Sequence, residues 1–409
     1  MYINTHTSSS KIKGINMIFN FDNGVVAGID ARGATFFNEI KKGKAVERDL
    51  LTEEEKVFLD FLLDNEFISY APLKKKEQVM TAYLHLTNQC NLHCVGCYSF
   101  DDKRNSADDM NYEEICHSIK QLASAGIQNL VFSGGEPLLR NDLLDIVRYA
   151  KINCDLPNIV LITNGTIYNK EKLAGLSRYV DTVSVSVDSY AEDCPSFIRD
   201  EGIFKKIIRT INYLKETGSN VNILPTVHHL NAHKLSEYVS LADKLGVTMS
   251  FSILTACFEG EMKSYLPQAE DIQKISDFML DTDLAIEDTS IGGEQLQAEN
   301  YCGAGKTMIS IGTDGNVYPC HMLMYDEFCI GNIKSDTVTN MRKFSKKAQL
   351  FSSLQVDKLN GGCKECQFKY LCGGGCRARA YLKHEDILAK DPYCNLFYNY
   401  YEETTKTFR

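Results

Sequence analysis

Cys90, Cys94 and Cys97 stand within eight residues, in the run TNQCNLHCVGCYSF at 87–100. The spacing C-x3-C-x2-C puts three sulfurs on one tight loop. Tetrahedral zinc sites and iron–sulfur cubanes both take four ligands, so this loop is one short. For zinc, His93 inside the loop offers the missing ligand. A cubane held by three thiolates instead leaves one iron open to an external ligand.

A second group lies toward the C-terminus. Cys302 and Cys320 read C-x12-G-x4-C around Gly315, and Cys363, Cys366, Cys372 and Cys376 read C-x2-C-x5-C-x3-C, with Cys394 after a gap. A zinc ribbon on Cys363, Cys366, Cys372 and Cys376 is the simplest structural use of such a run. Five further cysteines, at 116, 154, 194, 257 and 329, are scattered as small buried side chains usually are.

The totals narrow the class of protein. At 409 residues the chain suggests two or three domains. A net charge of −10 argues against nucleic acid as a partner and fits small molecules or cationic peptides. Neither a membrane-length apolar run nor a signal-peptide pattern is present, so the cytoplasm is the expected compartment. Fifteen cysteines without an export signal point to metal ligation rather than disulfides.

The elements that position these residues are legible from hydrophobic period. Residues 1–75 read as a small α+β unit in which MIFNF and GVVAGID flank the hairpin turn DNG. A helix over 31–41 follows, then one opened by Thr52 and Glu55 as a capping box, with Val57, Phe58, Phe61 and Leu62 on one face. Lysines 74–76 read as a linker. Six strands follow over 80–290: TAYLHLT, NLVFSGG, IVLITNG, TVSVSVD, NVNILPTVHH and TMSFSIL. Helices near 111–126, 141–153, 170–178, 201–217 and 234–245 alternate with them. Repeated β-α units imply parallel strands, in a doubly wound sheet or an incomplete barrel. Either fold gathers chemistry at the strands' C-terminal ends, where the Cys90 loop, SGGEP, TNG and VDS all fall. Residues 291–409 lose this repeat and are expected to fold around metal rather than around a large core.

CNLHCVGC followed by Tyr98 resembles the signature of the radical S-adenosylmethionine (SAM) enzymes. In that family the methionine amino and carboxylate groups chelate the open iron, and a 5′-deoxyadenosyl radical results. The resemblance implies a partial (β/α)6 TIM-like barrel. It assigns the methionine amino group to Ser133, Gly134, Gly135 and Glu136 of SGGEP. Asn164, Ser186 and Asp188, at the ends of strands three and four, stand as further cofactor contacts, the last two toward the carboxylate and ribose. Arg199 matches an arginine on the methionine carboxylate, Leu224 lines the adenine, and Tyr98 joins the same set.

The C-terminal cysteines resemble the SPASM extension, which holds two auxiliary [4Fe–4S] clusters and brings the implied total to three. Carried over, Cys363, Cys366, Cys372 and Cys394 close the outer cluster, while Cys302, Cys320 and Cys376 hold the inner one. Residues 303–319 lack the further cysteine of some relatives, which leaves an open iron unless Cys329 or a substrate fills it.

The N-terminal unit is similar to winged-helix-like domains that capture the leader of a ribosomally made precursor peptide by strand addition. The whole then resembles a peptide maturase fed by an electron donor such as flavodoxin or ferredoxin. Its expected product is a cysteine thioether; a carbon–carbon or carbon–oxygen cross-link is the alternative. Formylglycine formation of the sulfatase-maturase kind and a non-catalytic iron–sulfur or zinc regulator are the remaining readings. Cys257 and Glu259, past strand six, are candidates at the cavity mouth.

Overall fold

A computed structural model describes residues 2–72, 79–99, 104–106, 109–282 and 296–407. The lysine run at 74–76 and the expected junction at 290–291 lie outside the described residues.

The chain start, β1 (Tyr2–Ile3), pairs antiparallel with β5 (Ile68–Ser69), which brings both ends of the N-terminal unit together. Between them β2 (Thr7–Ile12), β3 (Ile15–Asn20) and β4 (Val26–Ile29) form an antiparallel sheet, followed by α1 (Ala31–Lys41) and α2 (Glu53–Asp64). Thr52 and Glu55 make the reciprocal capping box that their spacing implies. Side chains alternate across β3. Ile18 packs with Phe37, Ile40 and Leu59 of the helices, whereas Met17 and Phe19 enter a cluster with Phe251, Tyr370 and Tyr400. The unit is thus bolted through one sheet face to the rest of the protein.

All six expected barrel strands form. β6 (Thr81–Thr87), β7 (Asn129–Gly134), β8 (Asn158–Thr163), β9 (Thr182–Ser186), β10 (Val221–Leu224) and β12 (Thr248–Met249) lie parallel in that spatial order. Strand order equals chain order, as in a barrel wall; a doubly wound sheet would reverse at a switch point. Helices α3 (Tyr112–Ser124), α4 (Leu143–Arg148), α5 (Lys170–Leu176), α6 (Phe204–Glu216) and α7 (Leu235–Leu245) connect them. The fifth strand is cut at Pro225, which has no N–H to give the ladder, and resumes as β11 (Thr226–Val227) beside β13 (Ser252–Ile253).

The barrel does not close, because β6 pairs with β14 (Met308–Ile311) rather than with β12. β14 is parallel to β6 and leads antiparallel into β15 (Asn316–Tyr318) and β16 (Gly331–Asn332). This corrects one expectation: Ile309, Ile311, Val317, Ile330 and Ile333 join the barrel's own core, so the C-terminal region shares a large core. Strands of two to four residues are too short for a period to show in the sequence. The remainder carries α9 (Val338–Phe344), α10 (Lys346–Ser352), α11 (Lys369–Cys372), α12 (Arg377–His384) and α13 (Cys394–Thr404), the last packed on α8 (Ala269–Thr282). No helix among the described residues is long and apolar enough to cross a membrane.

Candidate active site

The Cys90 loop leaves the end of β6 and is held from two sides. On one, Asn105 Oδ1 accepts from the Cys90 amide at 2.8 Å, and Arg104 Nη2 lies 3.4 Å from Cys97 Sγ. On the other, Ile198 and Asp200 accept from the Val95 and His93 amides at 2.7 and 3.0 Å, and Arg199 Nη1 lies 3.4 Å from Cys94 Sγ. Burial pushes the Cys94 thiol up to about 11, and the Arg199 guanidinium pulls the other way. His93 is 82% exposed, and its Nδ1 lies 3.5 Å from an Asp200 oxygen.

The SGGEP turn closes over this loop. The Gly135 and Glu136 amides donate to the Thr87 and Gln89 carbonyls at 2.7 Å each. A β-carbon at Gly134 would lie 2.5 Å from the Thr87 oxygen, and Gly134 also has φ +128°. The glycines are therefore required by contact with the segment before Cys90. Ser133 Oγ is 2.7 Å from Tyr98 Oη. Glu136 is fully buried and does not line the cavity. Its oxygens accept from the Leu138 and Asn164 amides and the Thr163 hydroxyl at 2.7–2.9 Å, and burial raises its pKa against those bonds.

Asp188 also lies below the cavity surface. It accepts from Arg199 Nε and from the Thr226 amide, and so aims the guanidinium at the loop. Burial works against the Arg199 charge, yet Asp188 and the cysteines hold its pKa above the ordinary value. Ser133, Gly134, Gly135, Asn164, Ser186, Arg199, Leu224 and Tyr98 all line one cavity of about 450 Å³.

That same cavity is lined by Cys90, Cys94 and Cys97 and also by Cys302, Cys320, Cys372 and Cys376. Two groups of thiols more than 200 residues apart in the chain thus share one space. Cys363, Cys366 and Cys394 do not line it. Beyond the effect of burial, Cys394 and Cys363 raise the Cys372 pKa, Cys363 and Cys366 raise that of Cys394, and Cys376 raises that of Cys302. Between Cys372 and Cys376, Gly373, Gly374 and Gly375 all take positive φ, where only glycine is comfortable. Asp391 accepts from the Cys376 amide at 2.7 Å and is itself held by Arg379.

The donor sets, thiols alone in groups of three and four, are of the kind that cubanes take. Cys329 lies outside the cavity lining, its sulfur 3.4 Å from the Gly331 oxygen. Cys257 and Glu259 are exposed and also outside it, although Leu254 and Thr255 just before them form part of the wall.

Sequence reasoning missed Arg104, Asn105, Arg379, Asp391 and His321. His321 is buried on the wall beside Cys320, stacked on Tyr83 at 4.1 Å and edge-on to Tyr98, and burial lowers its pKa to about 4. Its place directly after a grouped cysteine was the one signal available for it.

Two family models match the chain: the radical SAM superfamily over residues 84–242 and the SPASM iron–sulfur cluster-binding domain over 302–367. The AdoMet-dependent heme synthase of Methanosarcina barkeri is 30% identical, over 76% of this chain and 94% of that protein. The mycofactocin maturase MftC of Mycolicibacterium smegmatis is 28% identical over 76% of this chain and 81% of its own. Among solved structures, native anSMEcpe with bound AdoMet shares the fold at TM-score 0.65 and 21% identity, over 79% of this chain and 96% of that one. Streptococcus suis SuiB bound to precursor peptide SuiA shares it at TM-score 0.60 and 14% identity, over 96% and 99%. With its cysteine loop at the mouth of a parallel partial barrel and its second thiol set lining the same cavity, this chain belongs to the radical SAM superfamily, as an enzyme with a C-terminal SPASM domain.

Proposed function

We propose that this enzyme is a peptide maturase that joins a substrate cysteine sulfur to a carbon of the same ribosomally made peptide. One observation carries the reading. The inner set Cys302, Cys320 and Cys376 lines the same cavity as the Cys90 loop, and Cys329, the cysteine considered as a fourth inner ligand, lies outside that lining. Cys90, Cys94 and Cys97 would hold the cluster that binds S-adenosylmethionine, whose reductive cleavage supplies a 5′-deoxyadenosyl radical. Cys302, Cys320 and Cys376 would hold an electron-accepting cluster with one corner open to a thiolate, and Cys363, Cys366, Cys372 and Cys394 a second auxiliary one.

The chain's own residues then have defined tasks. Arg199, aimed by Asp188, offers a fork to the methionine carboxylate. Ser133, Asn164 and Ser186 present polar groups to the amino acid and ribose, and Leu224 an apolar wall to the adenine. The buried, stacked pair of Tyr83 and His321 gives the cavity a solvent-excluding wall, which protects a radical from water. Thioether formation removes two hydrogens from the peptide. One leaves as an atom from carbon, and the other as a thiol proton together with one electron.

The N-terminal unit is proposed to hold the leader by adding it as a strand to the sheet of β2, β3 and β4. The likeness to SuiB, which spans 96% of this chain, supports that role, as does the fixed packing of Phe19 against Tyr370. Residues 1–75, 80–290 and 291–409 are accordingly assigned to leader recognition, radical generation and auxiliary clusters. A flavodoxin or ferredoxin is the proposed electron donor, and the cytoplasm the proposed compartment.

The test is co-expression with short cysteine-containing reading frames that neighbour the gene, read by mass spectrometry. A product lighter by two hydrogens whose cysteine resists alkylation supports the thioether. The same mass loss with a free thiol supports a carbon–carbon or carbon–oxygen bond, and conversion of cysteine or serine to formylglycine would place it with the sulfatase maturases. The 30% identity to an AdoMet-dependent heme synthase favours a second reading, a tetrapyrrole substrate. Visible absorbance changes in a porphyrin precursor supplied with S-adenosylmethionine and reductant would select it.

A further inference from the structure

Among the described residues, two arginines reach sulfurs of the 90–97 loop: Arg199 at Cys94 and Arg104 at Cys97. The hydrogen bonds around Cys97 fix which group donates there. Ser99 Oγ gives its proton to the Gly134 carbonyl at 2.9 Å, so it has none left for Cys97 Sγ at 3.4 Å. The same hydroxyl accepts from Arg104 Nη2 at 3.1 Å. Arg104 is therefore the donor on the Cys97 sulfur, and Ser99 orients it from the SGGEP side. The next residue, Asn105, holds the Cys90 amide, which fixes Arg104 over the loop.

We propose that Arg104 sets the reduction potential of the cluster held by Cys90, Cys94 and Cys97, through its hydrogen bond and charge at the Cys97 thiolate. The inference rests on the radical SAM reading of this loop and is independent of the substrate. One electron from an external donor adds one negative charge, shared between the irons and their thiolates. An N–H donor and a cation at a thiolate stabilise that added charge, and so favour the reduced form. Arg104 thereby acts as a positioning residue for electron entry, with no contact to substrate required.

The test uses the reconstituted full chain in three forms: wild type, Arg104→Gln and Arg104→Lys. No peptide is needed. A dithionite titration monitored by electron paramagnetic resonance follows the cluster signal that changes when S-adenosylmethionine is added. Arg104→Gln is expected to lower the reduced-to-oxidised ratio at fixed potential about tenfold, a shift of about 59 mV to more negative potential. Arg104→Lys should recover part of the shift, with iron content unchanged in both. A wild-type midpoint in Arg104→Gln overturns the inference. Loss of one cluster's iron from both variants also overturns it, because the arginine would then build the site rather than tune it.

Discussion

Gly135 lies so close to Gln89 that a β-carbon on it would stand 2.1 Å from the Gln89 carbonyl oxygen. Gln89 immediately precedes Cys90, so the second glycine of SGGEP sets where the cysteine loop begins. Gly135→Ala must push backbone against backbone, and nothing flexible can give way. We expect a loss of about 1–3 kcal/mol in stability, measured by thermal unfolding, together with reduced iron uptake. Unchanged iron content would show that the loop tolerates the shift.

Asp188 neutralises Arg199 in a site where both are largely buried. Asp188→Asn leaves the guanidinium uncompensated and is expected to cost about 3 kcal/mol. The pair Asp188→Asn with Arg199→Met should restore much of that stability without restoring S-adenosylmethionine binding. Equal losses in the single and double variants, measured by chemical denaturation, would count against the pair as the cause.

Cys329 sits outside the cavity that Cys376 lines. Cys329→Ser is therefore expected to keep the full complement, roughly twelve irons for three cubanes, whereas Cys376→Ser should lose up to a third. Iron and sulfide assays after anaerobic reconstitution check both. A matching loss in Cys329→Ser would make it the fourth inner ligand and remove the open corner.

His85 on β6 is buried, its Nε2 has no hydrogen-bond partner among the described residues, and burial with the neighbouring His321 pushes its pKa from 6.5 down to about 3. The folded chain keeps it neutral, while the unfolded chain protonates it below 6.5. Its contribution is complete above pH 6.5 and is lost as pH falls toward 3. Between pH 7 and pH 5 this amounts to about 2 kcal/mol. Urea midpoints should show an acid sensitivity smaller by that amount in His85→Leu.

Much of the architecture was readable because it is periodic. The six barrel strands, the helix Ala31–Lys41 and the Thr52–Glu55 capping box follow from local spacing and cap chemistry. Of the residues that the family resemblance put at the cofactor, Ser133, Asn164, Ser186, Arg199, Leu224 and Tyr98 line the cavity, whereas Asp188 does not. Glu136 was harder. Its motif placed it at the cofactor, but the strand pairing turns its carboxylate to Thr163 and the Asn164 amide. The glycines of SGGEP were expected to admit a ligand, and the close partner proved to be the chain itself at Thr87–Gln89.

The sequence by itself determined the two cysteine spacings, the alternation of strand and helix, and the family to which they belong, because each is a relation between near neighbours in the chain. The tertiary structure decided which thiols share a space. The pairing of β14 with β6 joins the segment between Cys302 and Cys320 to the barrel sheet, and both cysteines line the cavity shared with the Cys90 loop. Arg104 and Asn105 meet Cys97 and Cys90 through contacts that no spacing rule encodes. Contacts between distant segments depend on the direction in which each side chain leaves its backbone, and that direction exists only once the barrel has formed.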